Sequence, residues 1–114
     1  MELIVVNDCP DNRELSERIR QMLSQLDSGI VYLVHEKNMG ACAARNTGLA
    51  AAKGTFIGFL DDDDEWLPEK TEKQVARMGA GVALVGCDRY RVTGDGTRYP
   101  HPTMPCADPG RAIP

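Results

Sequence analysis

ELIVVND at residues 2–8, CPDNRELSERIRQMLSQLDSG at 9–29 and IVYLVH at 30–35 decide the fold of this chain. The first stretch is an apolar run that ends in turn chemistry, the pattern of a buried strand. In the second, Leu15, Ile19, Met22, Leu23 and Leu26 recur at helical spacing and form one apolar stripe. Asp11 with Glu14 three residues later resembles a capping box, and Gly29 stands just past the end. The third stretch is again a short apolar run. A strand, an amphipathic helix and a second strand in this order predict a βαβ unit with parallel strands.

The pattern continues outward. GACAARNTGLAAAKG, residues 40–54, has the alanine content of a helix, with Gly54 as its stop. Its small residues predict close packing on a sheet. TFIGFL at 55–60 reads as a third buried strand and runs directly into Asp61-Asp62-Asp63-Asp64. Pro68 opens a short helix with Leu67, Thr71, Val75 and Met78 along one side, ended by Gly79 to Gly81. VALVGCDRYRV at 82–92 predicts a fourth strand, and Gly94-Asp95-Gly96 a turn with a returning strand to about Tyr99. The alternation gives an α/β, Rossmann-like, mostly parallel sheet flanked by helices. Five of the seven prolines fall in residues 100–114, so the expected organisation is a domain over 1–99 and a proline-rich tail or arm over 100–114.

Composition narrows the function classes. A chain of 114 residues, 42% hydrophobic and 26% charged, suits one globular domain with its own core. The formal charge of −4 argues against an extended nucleic-acid footprint. It leaves room for one small phosphorylated ligand, because a cation can bridge carboxylates to phosphate. Cys9, Cys42, Cys87 and Cys106 form no C-x-x-C pair, which speaks against zinc. No signal peptide and no membrane-spanning run is legible, so the expected setting is the cytoplasm with reduced thiols.

Ligands of open parallel sheets bind at the carboxyl ends of the strands. Asp8 ends the first strand and Asp61–Asp64 ends the third, so both acidic groups are expected on one sheet edge. Four adjacent carboxylates repel one another, and a hard cation such as Mg²⁺ or Mn²⁺ relieves that repulsion. A solvated acidic turn before a helix is an equally good reading of the same spacing. Arg45 stands among small neighbours, either solvated or aimed into a cleft where its guanidinium suits a diphosphate. Trp66 is expected to anchor the loop rather than to bind a ligand. His35 and His101 have no triad partner at a readable spacing and read as structural or incidental.

Taken together, IVVNDCPDN, EKNMGACAARNTGL and GTFIGFLDDDDEWLPEK closely resemble the family 2 inverting glycosyltransferases of GT-A fold, over about residues 2–99. The resemblance implies a nucleotide-sugar-binding half domain. Asp8 matches an aspartate that contacts the nucleotide base, although Asn7 and Cys9-Pro10 depart from the family's usual Asp and Gly-Ser. Arg45 matches an arginine near the nucleotide, and Asp61 the first member of a D-x-D motif, which contacts the ribose region. Asp63 matches the last member, which coordinates the metal, Mg²⁺ or Mn²⁺, bound to the donor diphosphate. The implied donor is a nucleotide-sugar, UDP-sugar by preference.

The same resemblance implies that the family's first strand and its acceptor half, with the acidic general base, are truncated here. No catalytic residue is therefore assigned, and donor binding without full transfer is the expected function. The lost strand would lie between residues 2–8 and 55–60, which predicts a homodimer or larger assembly. Two other classes compete: a non-catalytic interaction or oligomerisation module, and a receiver-like phosphoryl-accepting domain. The latter needs a lysine and a hydroxyl at later strand ends, where this chain has Asp88-Arg89.

Overall fold

A computed structural model describes residues 1–27 and 29–101. The chain divides into two compact units, Met1–Asp64 and Glu65–Pro114. Residues 102–114, which hold most of the expected tail and Cys106, lie outside the described residues.

The first unit is the expected βαβ arrangement with a further helix. β1 (Ile4–Asn7) and β2 (Val31–Val34) pair in parallel, with α1 (Arg13–Leu26) between them in sequence. The register sets Ile4 opposite Val31, Val5 opposite Tyr32, Val6 opposite Leu33 and Asn7 opposite Val34. Bonds from Val31 N–H to Leu3 O and from His35 N–H to Asn7 O, each 3.0 Å, carry the ladder past both ends. The N-cap of α1 is Asn12, one residue beyond the expected Asp11, and its side chain accepts from Leu15 N–H at 2.9 Å. The apolar stripe is only partly covered. Leu23 is buried and Ile19 half-buried, while Leu15, Met22 and Leu26 face solvent.

Helix α2 (Ala41–Ala51) lies against β1, as its small residues predict. A Cβ on Gly48 would stand 3.5 Å from Val6 Cγ2, so glycine and alanine set how near the helix comes. Gly40, with φ of 85°, supplies the left-handed step that turns the chain into this helix. Lys53 N–H then donates to the Glu2 carboxylate at 3.0 Å, returning the chain to the start of β1.

The expected strand over 55–60 is not a strand. Among the described residues, this run has no backbone hydrogen bond to any neighbour. Among the described residues β1 is bonded on its β2 side alone, and the run does not pair with its other edge. Phe56 and Phe59 are consequently about half exposed, at 51% and 52%.

The second unit holds α3 (Lys70–Val75), shorter than the helix expected from Pro68 onward, and an antiparallel hairpin of β3 (Arg89–Val92) and β4 (Arg98–His101). The expected fourth strand over 82–92 thus forms only at its end. It pairs with its own successor instead of joining β1 and β2, because a five-residue connection closes at small entropic cost. β4 runs two residues beyond the expected Tyr99, and Pro100 is accommodated on an edge strand. The Lys70 ammonium lies 3.8 Å from the centroid of the Trp66 ring, a cation–π contact within the second unit. Among the described residues, no helix is long and apolar enough to cross a membrane.

Candidate functional site

Strand alternation sends neighbouring side chains at the end of β1 to different partners. The Asn7 amide donates to Ser16 Oγ of α1 at 3.0 Å and to the Tyr32 hydroxyl at 2.9 Å, and its carbonyl accepts from Cys9 N–H at 2.9 Å.

Asp8 turns toward the start of α2. Its Oδ1 accepts from Met39 N–H at 2.8 Å and from His35 Nδ1 at 2.6 Å, and its Oδ2 accepts from Gly40 N–H at 2.6 Å. The amide of Met39, then the imidazole of His35, hold this carboxyl below its ordinary value against the opposing effect of desolvation. The expected nucleotide contact therefore has most of its acceptor capacity engaged inside the protein.

His35 is structural, as the sequence suggests, but its partners were not legible in the spacing. The imidazole is 9% exposed and bridges Asp8 to Thr47 Oγ1, which lies 2.8 Å from Nε2. A carboxylate has no proton to give, so Nδ1 carries the hydrogen in this pair. The available signal was the parallel register, because pairing Asn7 with Val34 makes Asp8 and His35 the next neighbours along the two strands.

Arg45 and Asp61 are brought together. Arg45 Nη2 lies 2.7 and 2.9 Å from the two carboxylate oxygens of Asp61, with the side chains 43% and 53% exposed. The carboxylate raises the Arg45 pKa further. Among the described residues, Arg45 Nη1 and Nε have no partner and remain available to an anion.

Asp61–Asp64 form a turn closed by a bond of 3.1 Å from Asp64 N–H to Asp61 O. The side chains of Asp62, Asp63 and Asp64 are exposed and without partners among the described residues. No group of three or more His, Cys, Asp or Glu arranged to hold a metal occurs among them. A diphosphate-bound Mg²⁺ or Mn²⁺ takes only one or two protein carboxylates, so the exposed hard oxygens of Asp63 fit such an ion, while both oxygens of Asp61 are engaged by Arg45. Cys9, Cys42 and Cys87 are exposed free thiols, and His101 lies in β4, in the second unit.

The family model described as Glycosyl transferase family 2 matches residues 1–112. The chain belongs to glycosyltransferase family 2. Within that family it is 34% identical over 111 residues to the uncharacterized glycosyltransferase EpsJ of Bacillus subtilis, covering 91% of this chain and 30% of EpsJ. It is 43% identical over 77 residues to WfgD of Escherichia coli, a UDP-Glc:alpha-D-GlcNAc-diphosphoundecaprenol beta-1,3-glucosyltransferase, covering 68% of this chain and 29% of WfgD. An uncharacterized glycosyltransferase of Haemophilus influenzae is 38% identical over 86 residues, covering 74% of this chain and 27% of that protein. The chain thus spans less than a third of the length of these family 2 relatives. No solved structure matches it. Family 2 membership displaces the receiver-like reading and leaves a mixed α/β glycosyltransferase domain.

Proposed function

We propose that residues 1–99 form the donor-binding part of a family 2 glycosyltransferase and hold the diphosphate of a nucleotide-sugar. The observation that carries this reading is the exposed Arg45 guanidinium. It is fixed by one nitrogen to Asp61 and keeps two others free beside a run of four carboxylates. A guanidinium with N–H donors to spare beside acidic oxygens can meet a phosphate directly and through a cation. The UDP-linked donor in the name of WfgD supports UDP as the nucleotide.

In this reading Arg45 binds and orients the diphosphate, Asp61 faces the ribose, and Asp63 holds Mg²⁺ or Mn²⁺. Such an ion supplies charge neutralisation to the departing diphosphate. Asp8 acts through the backbone, fixing the Met39–Gly40 turn so that the first turn of α2 keeps its place. No residue here is assigned to acceptor deprotonation, and sugar transfer by these 114 residues alone is not part of the proposal. The free thiols suit a reducing, cytoplasmic setting. Calorimetric titration with UDP, with and without Mn²⁺, tests the reading. Metal-dependent binding supports it, and its absence overturns it.

A second reading, an oligomerising module, is favoured by one observation. β1 has an unpaired edge, and the apolar run 55–60 is exposed with no backbone partners among the described residues. Unpaired apolar edges are templates for another chain. A symmetric dimer satisfies both at once, and the two readings are compatible.

A further inference from the structure

The half-buried residues of α2 are Ala43, Ala44, Thr47, Gly48 and Ala51, one face at helical spacing composed almost wholly of small side chains. A face of this kind is smooth. Its shallow ridges do little to favour one rotation or axial setting of the helix over the next. Directional bonds must supply that choice, and the structure shows them at two heights. Asp8 takes the N–H groups of Met39 and Gly40 at the helix start, and His35 Nε2 meets Thr47 Oγ1 about two turns further along. Anchors at two heights fix translation and rotation together.

The consequence falls on Arg45. Residues two apart on a helix point about 200° away from each other, so seating Thr47 against His35 turns position 45 outward. There Arg45 meets Asp61. We infer that His35 is the positioning residue for Arg45: oriented by Asp8, its imidazole holds Thr47 and thereby sets the side of α2 from which the guanidinium meets its anion. The link survives either charge state of the ring. Neutral imidazole, protonated at Nδ1, accepts the Thr47 hydroxyl proton at Nε2, and imidazolium donates to the same oxygen once the hydroxyl rotates. This inference rests on the proposed donor site only for the identity of the anion.

The test uses the full chain, Thr47→Val, Thr47→Ser, His35→Asn and His35→Gln. The amide of His35→Asn can replace Nδ1 toward Asp8 but cannot reach Thr47, and that of His35→Gln can replace Nε2 but abandons Asp8. Two quantities are read: the NMR signals of the Arg45 guanidinium without ligand, and UDP affinity with Mn²⁺. Thr47→Val and both His35 variants should collapse the dispersed Arg45 signals and weaken UDP about fivefold, the worth of roughly one net hydrogen bond. Thr47→Ser should restore both, which loss of general stability would not predict. Wild-type Arg45 signals and affinity in Thr47→Val would overturn the inference. If wild-type protein binds no UDP, the donor reading falls while the Arg45 signals still decide the role of His35. If the His35 variants do not fold, the Val and Ser pair at position 47 decides it alone.

Discussion

One guanidinium nitrogen of Arg45 spans both carboxylate oxygens of Asp61, at 2.7 and 2.9 Å, across 16 positions of sequence. This is not the side-on fork in which two nitrogens meet two oxygens. Asp61 occupies one corner of the guanidinium and leaves the rest facing outward. Before any ligand arrives, the carboxylate therefore competes with a phosphate for the same cation.

Asp61→Asn should relieve that competition. Exposed ion pairs are worth about 0–1 kcal/mol, so UDP binding in excess chelator should strengthen by up to about fivefold. Arg45→Ala should remove it. Calorimetry without metal checks both, and an Asp61→Asn protein indistinguishable from wild type would show that Asp61 does not restrain Arg45.

Metal dependence should reside in Asp63. Asp63→Ala is expected to bring UDP affinity in Mn²⁺ down to its value in chelator. Asp95→Ala, in the hairpin turn, should leave the metal effect intact. Equal binding by wild-type protein with and without metal would remove the cation from the site altogether.

Purified protein of this sequence should form no glycoside with any acceptor, although slow donor hydrolysis is compatible with the proposal. Acceptor deprotonation by a positioned base contributes about 10²–10⁴-fold in rate, and no residue here is assigned to it. Radiolabel transfer from a UDP-sugar measures this directly. Robust metal-dependent product would place a base among these residues.

The pH dependence of stability follows from Asp8. Its carboxyl is held below the ordinary 3.8 by the Met39 amide and then by His35, so near that pH the unfolded chain binds more protons than the folded one. The stabilisation is complete above about pH 4 and is lost as pH falls through the lowered folded value. Asp95, lowered to about 2 by the Thr93 hydroxyl and the Thr97 amide, adds a second loss in the hairpin between about pH 4 and 2. Asp8→Asn should flatten the acid limb of a denaturation profile in the first unit. An unchanged limb would mean that the Met39 and His35 bonds do not persist in solution.

Self-association should be detectable at micromolar concentration by sedimentation, and Phe59→Lys should reduce it by placing a charge in the exposed run. A monomer at high concentration would mean that β1 and the 55–60 run find their partners within one chain.

Much of the first unit was legible because periodicity and turn chemistry agree there. The run 4–7, the stripe of α1 and the Ala-Gly face of α2 each point to the elements that form. The 55–60 run was misread because an apolar sequence declares its wish for burial but not whether it takes up a free strand edge such as that of β1. Of the 82–92 run only Arg89–Val92 forms a strand, and it closes the hairpin that the Gly94-Asp95-Gly96 turn signalled. Of the site, the Arg45–Asp61 pair joins residues that the sequence had singled out separately. The Asp8 partner of His35 follows once the two strands are set in register, but its Thr47 partner depends on the phase of α2, which a row of alanines does not encode.

Asp8 and Gly40 are 32 positions apart, with α1 and β2 between them in the chain, so their bond belongs to the order of folding as well as to the final structure. The β3–β4 hairpin can close within about 1–10 μs from its own short turn. The Asp8 clasp has to wait until the helix has turned back and β2 has taken its register on β1. A contact that forms after the shared transition state stabilises the native side of that barrier alone. Asp8→Asn is therefore expected to speed unfolding of the first unit more than it slows folding, which stopped-flow folding and unfolding rates check. Loss of the clasp would thus shorten the lifetime of the folded first unit more than it would slow the chain in getting there.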